Sequence, residues 1–568
     1  MKKEEVLEHI IVIELYTLLT ILAFHNLFIL GFDKFLIGDH GDAWQFTWNF
    51  WWVRKAISEG RNIFYTDYLF YPHGTSLFFH TLNLTGILLV FPILLIINNL
   101  IIIYNLSILL TFVLSAYFMY LFLRYYLKNF SKNNKLLVLT SFMVGLIYSF
   151  SPYHVAKSLG YFNLASIQWI PLSLLLFFKM KEKPKFKFAM LLSLSLLLLF
   201  FTDFHYFYYI FLLIVFYLLY TTVIHFKKVN KNFILFSFAA LAFSISVIGL
   251  IFLPAIKEYL ADTYMRRQNW QTITFLNYLL PSRFSLSYSI SPTFFERLYN
   301  LSPIYWWVDS IVSLGPFMII FLFLLNSFLI LKKKGGSLLN TELLFWIFSL
   351  LFFFLISLGN TLALSRLLNN FLTYLPFSDL LPAPGRFSIL VFVSFLMILS
   401  LSLLNFINSI KIRRNSLLIV IFGILFLIFF VDYFPLNFNS YYTINVPSII
   451  YSIKDMKDEF AILNLPHKQN TQGMYLQTIH DHKMLDGFIS RIPPFSETTL
   501  NEVEVAIKNG DVNSLKSIFR KNNVKYIIIN QNYMPPFYDI SLASVVEILN
   551  LTEVDSKGNI KVYINHNI

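Results

Sequence analysis

Cysteine is absent from all 568 residues. Disulfides, thiolate metal sites and cysteine nucleophiles are thereby excluded. Charge is the next scarcity. Only 13% of the chain is Asp, Glu, Lys or Arg, about half of the roughly 25% carried by a soluble domain. With 57% hydrophobic and 19% aromatic residues, that deficit excludes a soluble globular chain. Several apolar runs approach or exceed the roughly 18 to 20 residues needed to cross hydrocarbon. The chain reads as a polytopic α-helical membrane protein. Its net charge of +13 invites nucleic acid as a partner, but the basic residues gather in short loops between apolar runs, as the positive-inside rule describes. Membrane lipid is expected as a partner and nucleic acid is not. Inverted repeats of the kind seen in many transporters and low-complexity linkers are also missing.

The apolar runs predict spans near residues 10–31, 105–123, 136–150, 164–178, 188–202, 208–224, 233–253, 311–331, 342–358, 388–410 and 416–434. The opening MKKEEVLEHI and its apolar run lack a small-residue cleavage site, which predicts a retained signal-anchor helix. Short breaks such as Arg124 to Lys135 and Lys179 to Lys187 together hold 20 Lys and Arg. The longer breaks 32–80, 151–163, 203–209, 254–310 and 359–387 hold 12 in a much longer stretch. This asymmetry places the N-terminus and the basic loops in the cytoplasm. A crossing at 82–103 would invert every later loop, so that run, broken at Pro92 and Asn98–Asn99, reads as interfacial or re-entrant. About 11 transmembrane helices result, with the C-terminus outside.

After Pro435 the composition changes, dividing the chain into a membrane domain, 1–434, and an extracytoplasmic domain, 435–568. Residues 447–568 hold 12 Lys and Arg against 13 Asp and Glu, with no membrane-length run. FAILNLP and VKYIIIN read as buried strands. TTLNEVEVAIKNG and DVNSLKSIFRKN read as helices, with Gly510 as a stop and Asp511 as an N-cap. A small α/β domain is expected. Its TIHDHKMLDGFISR stretch gathers His480, His482, Asp486 and Arg491. Histidines two apart in a loop read as solvated, and the domain as an acceptor-binding or lid module.

The densest polar and aromatic cluster of the N-terminal half lies between Gly38 and His80. Asp39 and Asp42 open it, and Asp42 begins a helical segment bearing Trp44, Trp48, Trp51 and Trp52. Tryptophan favours the membrane–water interface, so this helix is expected to lie along the surface. Asp42 with Gln45 three residues on is a capping-box pattern. A carboxylate fixed by helix N–H groups is a cap and a preorganised base at once.

An acidic residue just after the first membrane helix, opening an interfacial helix in a long outer loop, resembles the GT-C superfamily. These membrane glycosyltransferases use polyprenyl-phosphate-linked sugars, and more specifically the sequence looks like a bacterial and archaeal branch. The matching pieces are GDAWQFTWNFWW, NIFYTDYLFYPHGTSL, SPYHVAKSLGYFNLASIQWIPLSLL, LPAPGRF and NLP…MYLQTIHDHKMLDGFISR. The resemblance implies an inverting sugar transfer at the outer face, to a lipid, glycan or protein acceptor. It makes Asp42 the base, with Asp39 second or a metal partner, because a hydroxyl acceptor needs a positioned base. A departing lipid phosphate needs cationic groups. Arg266 and Arg267 in YMRRQNW, Arg283, and Arg386 in LPAPGRF are the outer arginines suited to it. Ordinary snorkelling is the alternative for each. His154, Asp203 and His205 are further outer-edge candidates, since ionisable groups at membrane depth are functional by default. His154 falls to the phosphate side; Asp42, Asp203 and His205 are candidate ligands for a divalent cation such as Mg or Mn. The first loop has Asp39-x-x-Asp42 in place of a DxD, which leaves metal dependence open. A transporter or lipid flippase would need ionisable residues in mid-span, and 188–202 and 311–331 carry almost none. A non-catalytic scaffold with a partner-binding outer domain is the remaining rival.

Overall fold

The computed structural model describes residues 3–38, 42–224, 230–260, 273–301, 311–331, 337–374, 383–410, 415–467, 471–490, 494–531, 546–547 and 549–566. Its contacts divide the chain into two compact units. One is a helical bundle of residues 1–29, 106–248 and 266–439; the other joins residues 30–105 and 249–265 to 440–568. The composition break at 434 separates the first loop from the C-terminal domain, whereas contacts group the two together.

Among the described residues, seven helices are long and apolar enough to cross a membrane: Lys3–Ala23, Leu100–Leu127, Asn134–Lys157, Phe162–Glu182, Phe204–Ile224, Lys231–Ile251 and Pro384–Ile410. Shorter apolar helices at Phe186–Thr202, Pro316–Ile330, Thr341–Ser357 and Ser416–Asp432 fall on the other expected spans. Ahead of Leu100–Leu127, whose first four residues it includes, the run 82–103 forms the 11-residue helix Leu84–Leu94. At about 1.5 Å per residue that is far short of a hydrocarbon core about 30 Å thick. An apolar 18-residue stretch of Pro384–Ile410 is buried throughout, whereas 22% of the corresponding stretch of Lys3–Ala23 and of Lys231–Ile251 is buried. A helix apolar all round belongs at the centre of a bundle; the other two form its lipid-facing rim. Close approach needs small residues. A Cβ at Gly145 would sit 2.7 Å from the carbonyl oxygen of Ala116, so only glycine fits there.

The second unit is built on a five-stranded sheet in the order Lys483–Met484, Ala461–Leu465, Val524–Asn530, Ile560–Ile564, Thr552–Lys557. The first three strands are parallel and the last two antiparallel. FAILNLP and VKYIIIN supply the two central strands, and Pro494–Asn509 and Val512–Lys521 are the expected helices. Asp511 caps the second of these, accepting the Ser514 amide at 3.1 Å. Gly510 ends the first in the left-handed region, at φ +64°. Ile462, Leu476, Tyr526, Ile528 and Val562 form the core.

An exposed strand edge is a liability unless it is covered, and here the first loop covers it. The Met484 amide donates to Tyr68 O at 2.8 Å, the Tyr71 amide to Met484 O at 2.9 Å, and the Phe70 amide to Asp486 O at 3.3 Å. Residues 68–71 thus extend the sheet beyond Lys483–Met484. A second tie pairs Leu36–Ile37 antiparallel with Tyr441–Tyr442.

Candidate active site

Asp42 sits half-buried at the head of the helix Ala43–Ser58. The capping box expected there is not formed: the Asp42 side chain makes no capping hydrogen bond. Gln45 instead turns its amide toward the His80 ring, 3.2 Å from Nε2. The tryptophan helix does not lie along a surface either. Trp44, Trp48, Trp51 and Trp52 are all buried, because the helix packs against Thr471–His480. Trp44 meets Tyr475 with ring centroids 4.9 Å apart. Trp48 Nε1 donates to Gln477 Oε1 at 2.7 Å. Gln477 Nε2 donates in turn to Tyr68 O at 2.7 Å and His482 O at 3.0 Å. Lys55 closes the far end of the helix on Asp481 at 2.8 Å. Gln477 therefore ties the tryptophan helix, the added edge segment and the 480–482 turn together. The aromatic stripe was a docking face, which the composition of an interfacial helix imitates.

His80, His480 and Asp486 are buried in this unit. The Ser490 amide donates to His80 Nδ1 at 3.2 Å and His80 Nε2 faces Asn49 Oδ1 at 2.9 Å, which fixes a neutral ring protonated at Nε2. Burial depresses His80 to about 3. His480, expected to be solvated, is the buried last residue of its helix, and burial depresses it to about 3 as well. Asp486 lies beneath Asn464, and burial raises it to about 7 despite the Asn464 amide at 2.9 Å. Unfolding returns these groups to ordinary values near 6.5 and 4. Between about pH 4 and 6.5 the unfolded chain therefore gains two histidine protons and loses the aspartate proton that the folded state keeps. Stability of this unit is expected to fall on acidification through that window, by about 1.4 kcal/mol per pH unit for one net proton. His480→Gln should flatten the slope, as read by unfolding at pH 6.5 and 4.5.

The bundle holds the other half of the candidates. Asp203 lies between the helices Phe186–Thr202 and Phe204–Ile224. Its Oδ1 accepts the His205 backbone amide at 2.8 Å and faces His205 Nδ1 at 2.6 Å. Its Oδ2 accepts from Asn163 Nδ2. Burial acts to raise the Asp203 pKa, but the charge and hydrogen bonds of His205 and the charge of Arg386 outweigh it and hold the carboxylate below its usual range. His205 Nε2 is left buried without a hydrogen-bond partner. Arg386 is half-buried in the single turn Pro384–Phe387, at the entry to the central helix. His154 is fully buried. Its Nδ1 faces Ser149 O at 2.6 Å and its Nε2 faces Thr111 Oγ1 at 3.0 Å. With both nitrogens engaged and its ring 4.0 Å from that of Phe112, His154 serves the packing of this helix corner. Arg283 is paired with Glu296 at 3.1 Å.

Asp39, Arg266, Arg267 and Arg491 lie outside the described residues. Among the described residues no group of three or more His, Asp or Glu is placed to hold a metal ion. The His205 Nε2 is nonetheless suited to a cation, since a metal-bound histidine usually gives its other nitrogen to a carboxylate. Asp203 is the carboxylate that faces the other nitrogen of this ring. Sequence reasoning passed over Gln477, His80 and Asn163, whose partners are remote in the chain. It also passed over Lys157, buried with its ammonium 5.3 Å from the Tyr153 ring and 5.5 Å from the Tyr161 ring. A buried lysine in an outer-loop motif was the available signal.

No protein-family model matches the chain, and no curated protein does. Solved structures do. A crystal structure of the Archaeoglobus fulgidus oligosaccharyltransferase in complex with Zn and sulfate aligns over 98% of this chain and 73% of its own, at 12% identity and a TM-score of 0.50. The same protein tethered by a disulfide to an acceptor peptide containing the NVT sequon aligns over 93% and 69%, at 13% identity and a TM-score of 0.50. At such identities the likeness is one of fold. Apolar helices, first loop and C-terminal sheet are parts of a chain that shares its fold with these archaeal oligosaccharyltransferase structures.

Proposed function

We propose that the chain moves a sugar from a polyprenyl-phosphate-linked donor to an acceptor at the outer face of the membrane, with inversion at the anomeric carbon. The observation that carries this reading is the buried Asp203–His205 pair, under the charge of Arg386, at the edge of a membrane bundle of this fold. Fold alone does not fix activity; a cation at the membrane edge is what a departing lipid phosphate requires.

In the transfer, Asp42 takes the proton of the acceptor as its oxygen or nitrogen bonds to the anomeric carbon. The bond from that carbon to the phosphate oxygen breaks, and the electron pair leaves with the polyprenyl phosphate. Arg386 offers a forked donor to that phosphate. His205, oriented by Asp203, offers Nε2 beside it, either as a proton donor or as a ligand. A divalent cation, Mg or Mn, would supply further neutralisation of the leaving charge, and Asp39 is the remaining acidic candidate to help hold it. With the basic loops in the cytoplasm, the N-terminus lies inside, and the first loop and C-terminal domain lie outside.

The test is transfer of labelled sugar from synthetic polyprenyl-phosphate sugars by the purified protein, begun with peptide acceptors and extended to lipids and glycans. Arg386→Ala is expected to raise the KM for the donor about ten-fold or more, matching a lost charge-assisted contact of roughly 1.5–3 kcal/mol. Chelation followed by Mg or Mn reports on the cation. Transfer undiminished in Arg386→Ala would remove that arginine from the phosphate site.

A further inference from the structure

Between the apolar helix Ser337–Ser357 and the central helix Ser388–Ile410 lies an 11-residue helix, Ala363–Thr373. Its apolar residues Leu364, Leu367, Leu368 and Phe371 recur at i, i+3, i+4 and i+7, one stripe of a helix. In a bundle such a stripe should face inward. Here it does the opposite: Leu364, Leu367 and Phe371 are 54%, 67% and 65% exposed, and it is Ser365 that is buried. The inward side is polar and specific. Asn369 Nδ2 donates to Ile356 O at 3.0 Å, Gly359 O at 3.2 Å and Ser365 O at 2.9 Å. Ser365 Oγ accepts the Leu362 amide at 3.0 Å and returns a bond to Leu362 O at 2.8 Å. These bonds pin the helix to the last carbonyls of Ser337–Ser357 and beyond.

That attachment says what covers the exposed face. Ser337–Ser357 presents Leu344, Phe348 and Leu351 outward along its length, as a lipid-facing helix does. Its carbonyl end is where it leaves the hydrocarbon, and there Asn369 holds the short helix. The only charged side chain on that helix, Arg366, lies with Asn370 off the apolar stripe and is exposed. A short helix at this level, apolar on one side and bearing one cation at its polar edge, has the make-up of an interfacial helix. We propose that Ala363–Thr373 lies in the membrane interface, with Leu364, Leu367 and Phe371 set into the acyl-chain boundary and Arg366 among the lipid phosphates. The bilayer is the occupant of this face.

Because the chain has no cysteine, single labels need no background removal. Leu367→Cys and Asn370→Cys, each carrying a nitroxide, are placed in nanodiscs of phosphatidylcholine and phosphatidylglycerol. Collision rates are then measured with oxygen, which partitions into lipid, and with a water-soluble nickel chelate. The oxygen-to-nickel ratio is expected to be several-fold higher at 367 than at 370, with a mobile label at 367. Equal ratios would mean that the face meets water, and would overturn the proposal. An immobilised label at 367 shielded from both reagents, or one showing spin–spin broadening between copies, would mean that protein covers it, and would overturn it equally.

Discussion

Asp42→Asn is expected to leave the protein folded and inserted while lowering the turnover of sugar transfer by about 10²–10⁴-fold, the usual weight of a positioned base. The variant keeps the size and polarity of the side chain but cannot accept the acceptor's proton. It costs the helix nothing, because the Asp42 side chain makes no capping hydrogen bond and asparagine is as good a cap as aspartate. Thermal unfolding checks that the fold is kept. The KM for the donor should also stay near its original value, since the lipid phosphate is assigned to Arg386. This combination separates the base from a cap. Turnover equal to that of the unaltered protein would transfer the role to another carboxylate, with Asp39 next in line.

Gln477→Leu is expected to do the reverse, damaging structure first. The side chain is fully buried and serves three partners. Tyr68 O keeps the Met484 amide when Gln477 is lost, but the Trp48 indole N–H and His482 O are left without it. Each orphaned buried group costs about 1–3 kcal/mol, so the variant should lose about 2–6 kcal/mol of stability. Activity should fall with it, through displacement of the helix that carries Asp42. Limited proteolysis of the first loop checks the structural part, with cleavage expected near residues 59–67 at lower protease concentrations than in the unaltered protein. An unchanged digestion pattern with unchanged transfer would show that the tryptophan helix docks without this residue.

The apolar helices were legible because burial in lipid writes itself in length and composition. The two central strands of the C-terminal sheet were equally plain, being short β-branched runs with turn residues after them. The tryptophan helix was misread for a definite reason. Interfacial and buried tryptophans look alike in sequence, and the residue that decides between them, Gln477, stands 429 positions from Trp48. His480 was taken for a loop histidine because nothing local marks it as the end of a buried helix. Asp203 and His205 could be picked out by depth, yet the direction of their hydrogen bond, which frees Nε2, is a matter of backbone geometry. The same holds for Asn163, whose contact with Asp203 no spacing announces.

The docking of the first loop has a consequence for the order in which the protein is made. The tryptophan helix emerges from the ribosome early, and its partner helix only after 429 more residues, counted from Trp48 to Gln477. At about 5–20 residues per second, that interval is roughly 20–90 s. Throughout it four tryptophans and the edge segment 68–71 have no template to settle on. A nascent chain halted before residue 471 should therefore be captured by holding chaperones, through this loop in particular. Release would come only when the last fifth of the sequence arrives, so that the acidic half of the proposed site is completed after the entire membrane bundle has been threaded.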